Sequence, residues 1–189
     1  MTENFPRLSE EIVRRSLLAI PAALALTLGP ATAAHADNYP STYIRSNASS
    51  SAKCIGLANG GSVENGTLLV VWDCHYHVDQ YWHGNADASI RSRAATNKCV
   101  GLANGGSVDN GTPLVLWDCH GHPDQQWKFA NVGGSAYAIR SLAAPNKCVG
   151  LANRGSTTNG TWLVLWDCHG NPDQQWLLPN RPSTYGFTS

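Results

Sequence analysis

Three stretches of this chain are close copies of one another, and no other feature limits its fold so tightly. Cys54 to Trp82, Cys99 to Trp127 and Cys148 to Trp176 align without a gap; the second and third copies agree at 24 of 29 positions and the first and second at 22 of 29. Each copy follows an Ile-Arg-Ser stretch, at Ile44, Ile90 and Ile139, and the period is 45 residues, then 49. The extra four residues fall between Ala130 and Tyr137, where Gly133-Gly134 predict a longer loop. Each repeat alternates short runs of β-formers with turn residues. In the first copy the runs are Tyr43–Arg45, Cys54–Leu57, Leu68–Trp72 and the neighbourhood of Trp82. Asn65-Gly66, Asn110-Gly111 and Asn159-Gly160 precede the third run of each copy and predict tight turns with positive φ angles. No apolar period near 3.6 is present, so little helix is expected.

A unit of four short strands cannot bury its own apolar face. Three such units closing round a shared axis bury a common core and leave few sheet edges. The expected fold class is therefore all-β, a β-trefoil of three homologous four-stranded repeats. A β-propeller, the competing architecture for repeats of this length, needs at least four blades as a rule.

The cysteines support this reading. Six cysteines allow 15 pairings. Repeat symmetry selects Cys54–Cys74, Cys99–Cys119 and Cys148–Cys168, each closing a loop worth about 3 kcal/mol in the chain-entropy view. A disulfide framework implies an oxidising compartment, and residues 1–36 read as a secretion signal: Arg14-Arg15, an apolar run from Leu17 to Leu28, then Ala34-His35-Ala36 as a cleavage site. The paired arginines also allow a twin-arginine route. The apolar run is too short to span a bilayer, which needs about 20 residues. The expected organisation is a short N-terminal segment at 37–42, a domain at 43–178 (repeats near 43–87, 88–136 and 137–178) and a tail at 179–189. The flanks are too short for a catalytic domain.

Charge narrows the partners. Removing residues 1–36 takes Lys+Arg from 13 to 10 and Asp+Glu from 13 to 10. A neutral, sparsely charged protein gains little from counterion release and lacks basic clusters, so neither nucleic acid nor membrane insertion is expected.

The recurring pattern K-C-x-x, G-T-x-L-V-x-W-D-C-H and D-Q-x-W resembles the ricin B-type lectin family, including the family 13 carbohydrate-binding modules of secreted bacterial glycosidases. Its three Q-x-W signatures are Gln80-Tyr81-Trp82, Gln125-Gln126-Trp127 and Gln174-Gln175-Trp176. The resemblance covers roughly residues 43–178 and implies one shallow sugar pocket per repeat. It implies that Trp82, Trp127 and Trp176 are core, and that Trp72, Trp117 and Trp166 are the aromatics that stack on sugar. An indole offers a flat face to the apolar C–H side of a sugar ring, and carboxylates are strong acceptors for its hydroxyls. Buried packing is the competing reading for these three tryptophans.

The chain departs from the family together in all three copies. Gly56, Gly101 and Gly150 stand where the family carries the Asp that binds vicinal hydroxyls, Val70, Val115 and Val164 where it often has Gln, and Asp79, Asp124 and Asp173 where it has Asn before the Q-x-W glutamine. Either the pocket has been rebuilt around the three aspartates, or sugar binding has been lost. The rebuilt pocket assigns hydroxyl binding to Asp79, Asp124 and Asp173 with Gln80, Gln125 and Gln174. Asn59, Asn104 and Asn153 read as turn residues. Trp162, in place of Leu68 and Pro113, reads as local packing or as an exposed aromatic that would distinguish the third site.

His75, His120 and His169 each follow a cysteine, with His77 and His122 nearby. Oxidised cysteines do not ligate, and one or two imidazoles fall short of a zinc site, so no metal and no cofactor is expected. Asp73, Asp118 and Asp167 lie near the other aspartates, but a glycosidase needs a set carboxylate pair in a deep cleft. The expectation is a monomeric, non-catalytic protein that binds carbohydrate, no enzyme. The alternative is a protein-binding trefoil of the protease-inhibitor kind, with the Gly133-Gly134 region as its one unmatched loop.

Overall fold

A computed structural model describes residues 41–178. The signal expected at 1–36, most of the 37–42 segment and the tail at 179–189 lie outside the described residues. Twelve strands form the fold, four from each repeat. They are β1 Arg45–Ser46, β2 Lys53–Leu57, β3 Thr67–Asp73, β4 Trp82–Gly84, β5 Ile90–Ser92, β6 Lys98–Leu102, β7 Leu114–Asp118, β8 Trp127–Gly133, β9 Ala136–Ser141, β10 Lys147–Leu151, β11 Thr161–Asp167 and β12 Trp176–Leu177.

The first and fourth strands of the repeats close a six-stranded barrel. β12 pairs with β1 and β9, β8 with β9, and β4 with β5. Two single bridges complete the ring, Thr42 to Trp82 and Ser89 to Gln126. The second and third strands form three hairpins, β2–β3, β6–β7 and β10–β11. These hairpins meet round the axis: Leu68 lies opposite Val115, Trp162 opposite Val70, and Pro113 bridges to Val164. Closure at both ends gives the β-trefoil expected from the repeat. β7 is shorter than β3 and β11 because Pro113 has no N–H to give to the ladder.

The core repeats with the sequence. Each copy buries six matched residues, in the first Ile44, Ile55, Leu57, Leu69, Val71 and Trp82. The indole N–H groups of Trp82, Trp127 and Trp176 donate to the carbonyls of Ile55, Val100 and Val149 at 3.1, 2.9 and 3.0 Å. Buried tryptophan thus finds its polar partner in its own repeat. The disulfides join Cys54–Cys74, Cys99–Cys119 and Cys148–Cys168, each with Cα atoms 5.0 Å apart. Among the described residues no helix is long and apolar enough to cross a membrane.

Two local expectations need correction. The Asn-Gly turns are not two-residue hairpins: β2 and β3 are joined by residues 58–66, and only the glycine is left-handed, as at Gly66 with φ 89°. The asparagine keeps ordinary φ because its side chain holds the next repeat, as described below. The four extra residues before Tyr137 extend the β8–β9 hairpin, with an irregularity between Asn131 and Gly133, instead of forming a loose loop. Continued strand pairing satisfies backbone groups that a loop would leave to water.

Each loop after the second strand makes one helical turn, at Ala58–Gly61, Ala103–Gly106 and Ala152–Gly155. Its second and third residues are left-handed. The third is glycine in two copies (Gly60 φ 69°, Gly105 φ 67°) and arginine in the last (Arg154 φ 59°). A left-handed residue with a Cβ costs roughly 1–2 kcal/mol, part of which glycine returns through its freer unfolded chain. Arg154→Gly is therefore expected to raise stability by about 0.5–1 kcal/mol, read as a higher urea midpoint at unchanged m-value. A lower midpoint would show that the arginine makes contacts outweighing its strain.

Candidate functional site

Along β3, Leu69 and Val71 join the core cluster, while Leu68, Val70 and Trp72 take the other face of the strand, where Val70 is buried beneath the cleft and Trp72 is exposed. The strand's period of two sets this pattern. Trp72, Trp117 and Trp166 are 46%, 45% and 44% exposed, against 0%, 1% and 0% for Trp82, Trp127 and Trp176. The two tryptophans of each repeat therefore separate into a surface platform and a core anchor. The platform is steadied from one side by the preceding repeat. A Cβ built on Gly66 would lie 3.8 Å from the Trp117 ring, one on Gly111 3.6 Å from Trp166, and one on Gly160 3.8 Å from Trp72.

Trp72 stands in an open cleft of about 580 Å³ that also holds Gly56, Val70, His75, His77 and Asp79. Trp117 stands in a matching cleft of about 720 Å³ with Gly101, Val115, His120, His122 and Asp124. The structure thus brings platform and aspartate together in both. The third repeat carries Trp166, His169 and Asp173 at the matching positions, with Asn171 in place of the second histidine.

Each aspartate sits in the middle of a single 3₁₀ turn, Val78–Gln80, Pro123–Gln125 or Pro172–Gln174. The loop opposite lies directly over it. A Cβ on Gly61, Gly106 or Gly155 would come within 3.0, 3.0 or 2.8 Å of the aspartate Cβ. Those three residues are also left-handed, at φ 87°, 84° and 82°, so glycine is required twice over. The glycines that replace the family's aspartate have a steric reason too: a Cβ there would meet the Gln80, Gln125 or Gln174 Cγ at 3.1, 3.0 or 3.0 Å. In the first cleft, Asp79 Oδ2 lies 3.5 Å from that same point. A carboxylate arriving from the 3₁₀ turn therefore stands beside the place a side chain on residue 56 would leave from.

The glutamines, expected to bind hydroxyls, take a different part. Gln80 is fully buried; its carbonyl accepts from the His75 and Tyr76 amides at 3.0 and 3.3 Å, and its NH₂ donates to the Asp73 carbonyl at 3.0 Å. Gln125 and Gln174 make the matching bonds to His120 and Asp118, and to His169 and Asp167. Both ends of each amide are used in holding the loop after the disulfide. These side chains shape the cleft wall and have little left to offer a ligand.

The histidine after each disulfide faces the aspartate, with Nε2 to Oδ2 distances of 3.7, 3.7 and 3.6 Å. Its Nδ1 accepts from the backbone amide two residues on, at 3.3 Å. A neutral imidazole so placed carries its proton on Nε2, aimed at the carboxylate. His75, His77 and Asp79 have donor atoms within 4.8 Å of one another, as do His120, His122 and Asp124. A metal on Nε2 needs a lone pair there and a proton to donate from Nδ1, the reverse of this tautomer. Each triplet gathers two imidazoles and one carboxylate, with the nearer imidazole 3.7 Å from the carboxylate oxygen.

Asp73 and Asp118 do not line the first two clefts, and Asp167 holds the matching place in the third repeat. Asp73 pairs with Lys53 at 2.7 Å and accepts from the Asn159 amide at 2.7 Å, while the Asn159 carbonyl accepts from Lys53 and from the Asp73 N–H. Asn65 joins Lys98 and Asp118 in the same way, and Asn110 joins Lys147 and Asp167. Each Asn-Gly turn thus clamps the following repeat, a role sequence reasoning missed, although lysine, asparagine and aspartate recur in every copy. The lysine hydrogen bond first, and the asparagine second, hold these carboxyls below the ordinary 3.8. A glycosidase acid needs its pKa raised, so these aspartates are not poised for that work. Carboxyls lowered on folding stabilise the fold above their unfolded pKa, and that contribution is lost as pH falls through the folded value. The melting temperature is expected to be level above about pH 5 and to fall through pH 4 and below. Replacing Asp73, Asp118 and Asp167 by Asn should flatten that fall; an unchanged slope would place the acid sensitivity elsewhere.

Known proteins share this fold. The ricin-type β-trefoil lectin domain profile matches residues 40–176, most of the chain. The chain belongs to that family. A designed three-fold symmetric protein, ThreeFoil, superposes with a TM-score of 0.67 at 20% identity, covering 75% of this chain and 99% of its own. The Macrolepiota procera ricin B-like lectin, solved with lactose, gives 0.60 at 22%, covering 76% and 96%. The C-half of the earthworm R-type lectin, solved with GalNAc, gives 0.56 at 18%, covering 73% and 96%. At these identities the likeness is one of fold. No curated protein sequence matches the chain. In this member of the ricin-type family the glycines at 56, 101 and 150 pack against Gln80, Gln125 and Gln174, the residues that follow the aspartates at 79, 124 and 173.

Proposed function

We propose that the protein is a secreted, non-catalytic, monomeric lectin whose clefts bind a polysaccharide or cell-surface glycan through shallow sites, one in each repeat. The observation that carries this is the pairing of a nearly half-exposed indole with a histidine-supported carboxylate, on an apolar floor of Val70 or Val115. A sugar ring lies on Trp72, Trp117 or Trp166, and its hydroxyls donate to Asp79, Asp124 or Asp173. A millimolar site is worth about 4 kcal/mol, and linking sites on one rigid body multiplies retention by roughly 10²–10⁴ where the glycan spans them. The three disulfides suit export.

The test is a glycan array carrying GalNAc, lactose and a wide set of other glycans, with insoluble polysaccharides assayed beside it. Binding that competes with free sugar supports the reading; a folded, oxidised protein that binds none of them removes it. The β8–β9 hairpin favours a second reading, because it is longer than its counterpart β4–β5 and Val132 is exposed at its end. A protein contact there would be lost on shortening the hairpin, with sugar binding intact.

A further inference from the structure

Trp162 belongs to the third repeat by sequence, yet it lines the clefts of the first and second. The register explains how. Residues 68, 113 and 162 occupy matching places round the cap axis, and each lies beside the outward valine of the neighbouring repeat: Leu68 opposite Val115, Trp162 opposite Val70. Leu68 accordingly lines its own cleft and the second. Register alone brings Trp162 to the first cleft, and the length of the indole carries it across the axis to the second. It is 49% exposed and so is not spent on local packing.

We propose that the first and second clefts form one continuous groove for a single neutral oligosaccharide chain, with Trp162 as a central platform between Trp72 and Trp117. The inference rests on the carbohydrate reading and deepens it. The two clefts adjoin, with Leu68 and Trp162 lining both. Three indoles along one surface offer successive stacking faces, which suits a chain of sugar units better than a terminal monosaccharide. The lining of both clefts contains Asp79 and Asp124 but no Lys or Arg, so an acidic glycan would be repelled while neutral hydroxyls find acceptors. Pro113, at the place of Trp162 in the second repeat, bridges to Val164 of the third and offers no indole there.

The experiment uses the oxidised protein and neutral β-linked oligosaccharide ladders, galactan, glucan, mannan and xylan, from disaccharide to octasaccharide. Affinity is measured by calorimetry and the number of bound ligands by native mass spectrometry. Trp162→Leu is the variant, since the first repeat folds with leucine at this place. Wild-type affinity should climb with chain length, and the variant should lose roughly tenfold on the long members while disaccharide binding changes little. At most two octasaccharides should bind per protein, against up to three disaccharides. A wild-type curve flat with length, a variant curve that overlays it, or three bound octasaccharides would overturn the groove while leaving the lectin reading intact. A wild-type protein that binds no ladder and no array glycan would remove both.

Discussion

Replacing Trp72, Trp117 and Trp166 together by Ala is expected to abolish retention on polysaccharide while the protein stays folded. The platforms are 46%, 45% and 44% exposed, so nearly half of each residue is open to a ligand. An aromatic contact is worth about 0.5–1.5 kcal/mol beyond the area it buries, a large share of the ~4 kcal/mol that a millimolar site has to give. Because linked sites multiply, weakening all three removes the avidity as well. The fold loses little: none of the three belongs to the buried core, and the inner neighbours Leu69 and Val71 are untouched. Far-UV spectra, the three disulfides and a melting temperature within a few degrees of wild type would show a folded variant. A folded variant that still binds as wild type does would take these residues out of the site.

The sequence carried the fold because the fold is threefold and so are its signals. Triplicated cysteines, Q-x-W signatures and β-rich runs each impose the same choice three times, and the structure has the within-repeat pairing, one of fifteen, that the repeat suggests. The exposure of Trp72, Trp117 and Trp166 is triplicated in the same way, and in the first two repeats an aspartate shares the cleft. The glutamines were not legible, because their role depends on burial: Gln80 next to Asp79 reads as a second polar ligand until the chain shows that one side chain faces the cleft and the other the loop behind it. The inter-repeat clamp of Asn159 on Lys53 and Asp73 joins residues 106 and 86 positions apart, beyond the reach of any local pattern. Trp162 failed as a third-repeat residue for a related reason. Register across β11 and β3, not position in the repeat, decides which cleft an axial side chain serves.

The opposite outcome is expected ten residues away. Trp127→Ala should prevent stable folding at physiological temperature, although Trp117→Ala in the same repeat should not. Trp127 is 1% exposed in the core shared by all three repeats, and its indole N–H donates to the Val100 carbonyl at 2.9 Å. Truncating a buried tryptophan costs about 3–5 kcal/mol, and an orphaned buried carbonyl about 1–3 more. Against the 5–15 kcal/mol that typically separates folded from unfolded domains, that leaves little or nothing. The disulfide Cys99–Cys119 closes its loop before Trp127 and does not hold the β8 strand that this residue begins. Trp127→Phe should cost less, since it keeps most of the apolar volume and loses the hydrogen bond. Denaturant titrations of the three variants settle the comparison. If Trp127→Ala unfolds at the same midpoint as Trp117→Ala, the core does not depend on its tryptophans, and the division of each repeat into one structural and one ligand-facing indole falls with it.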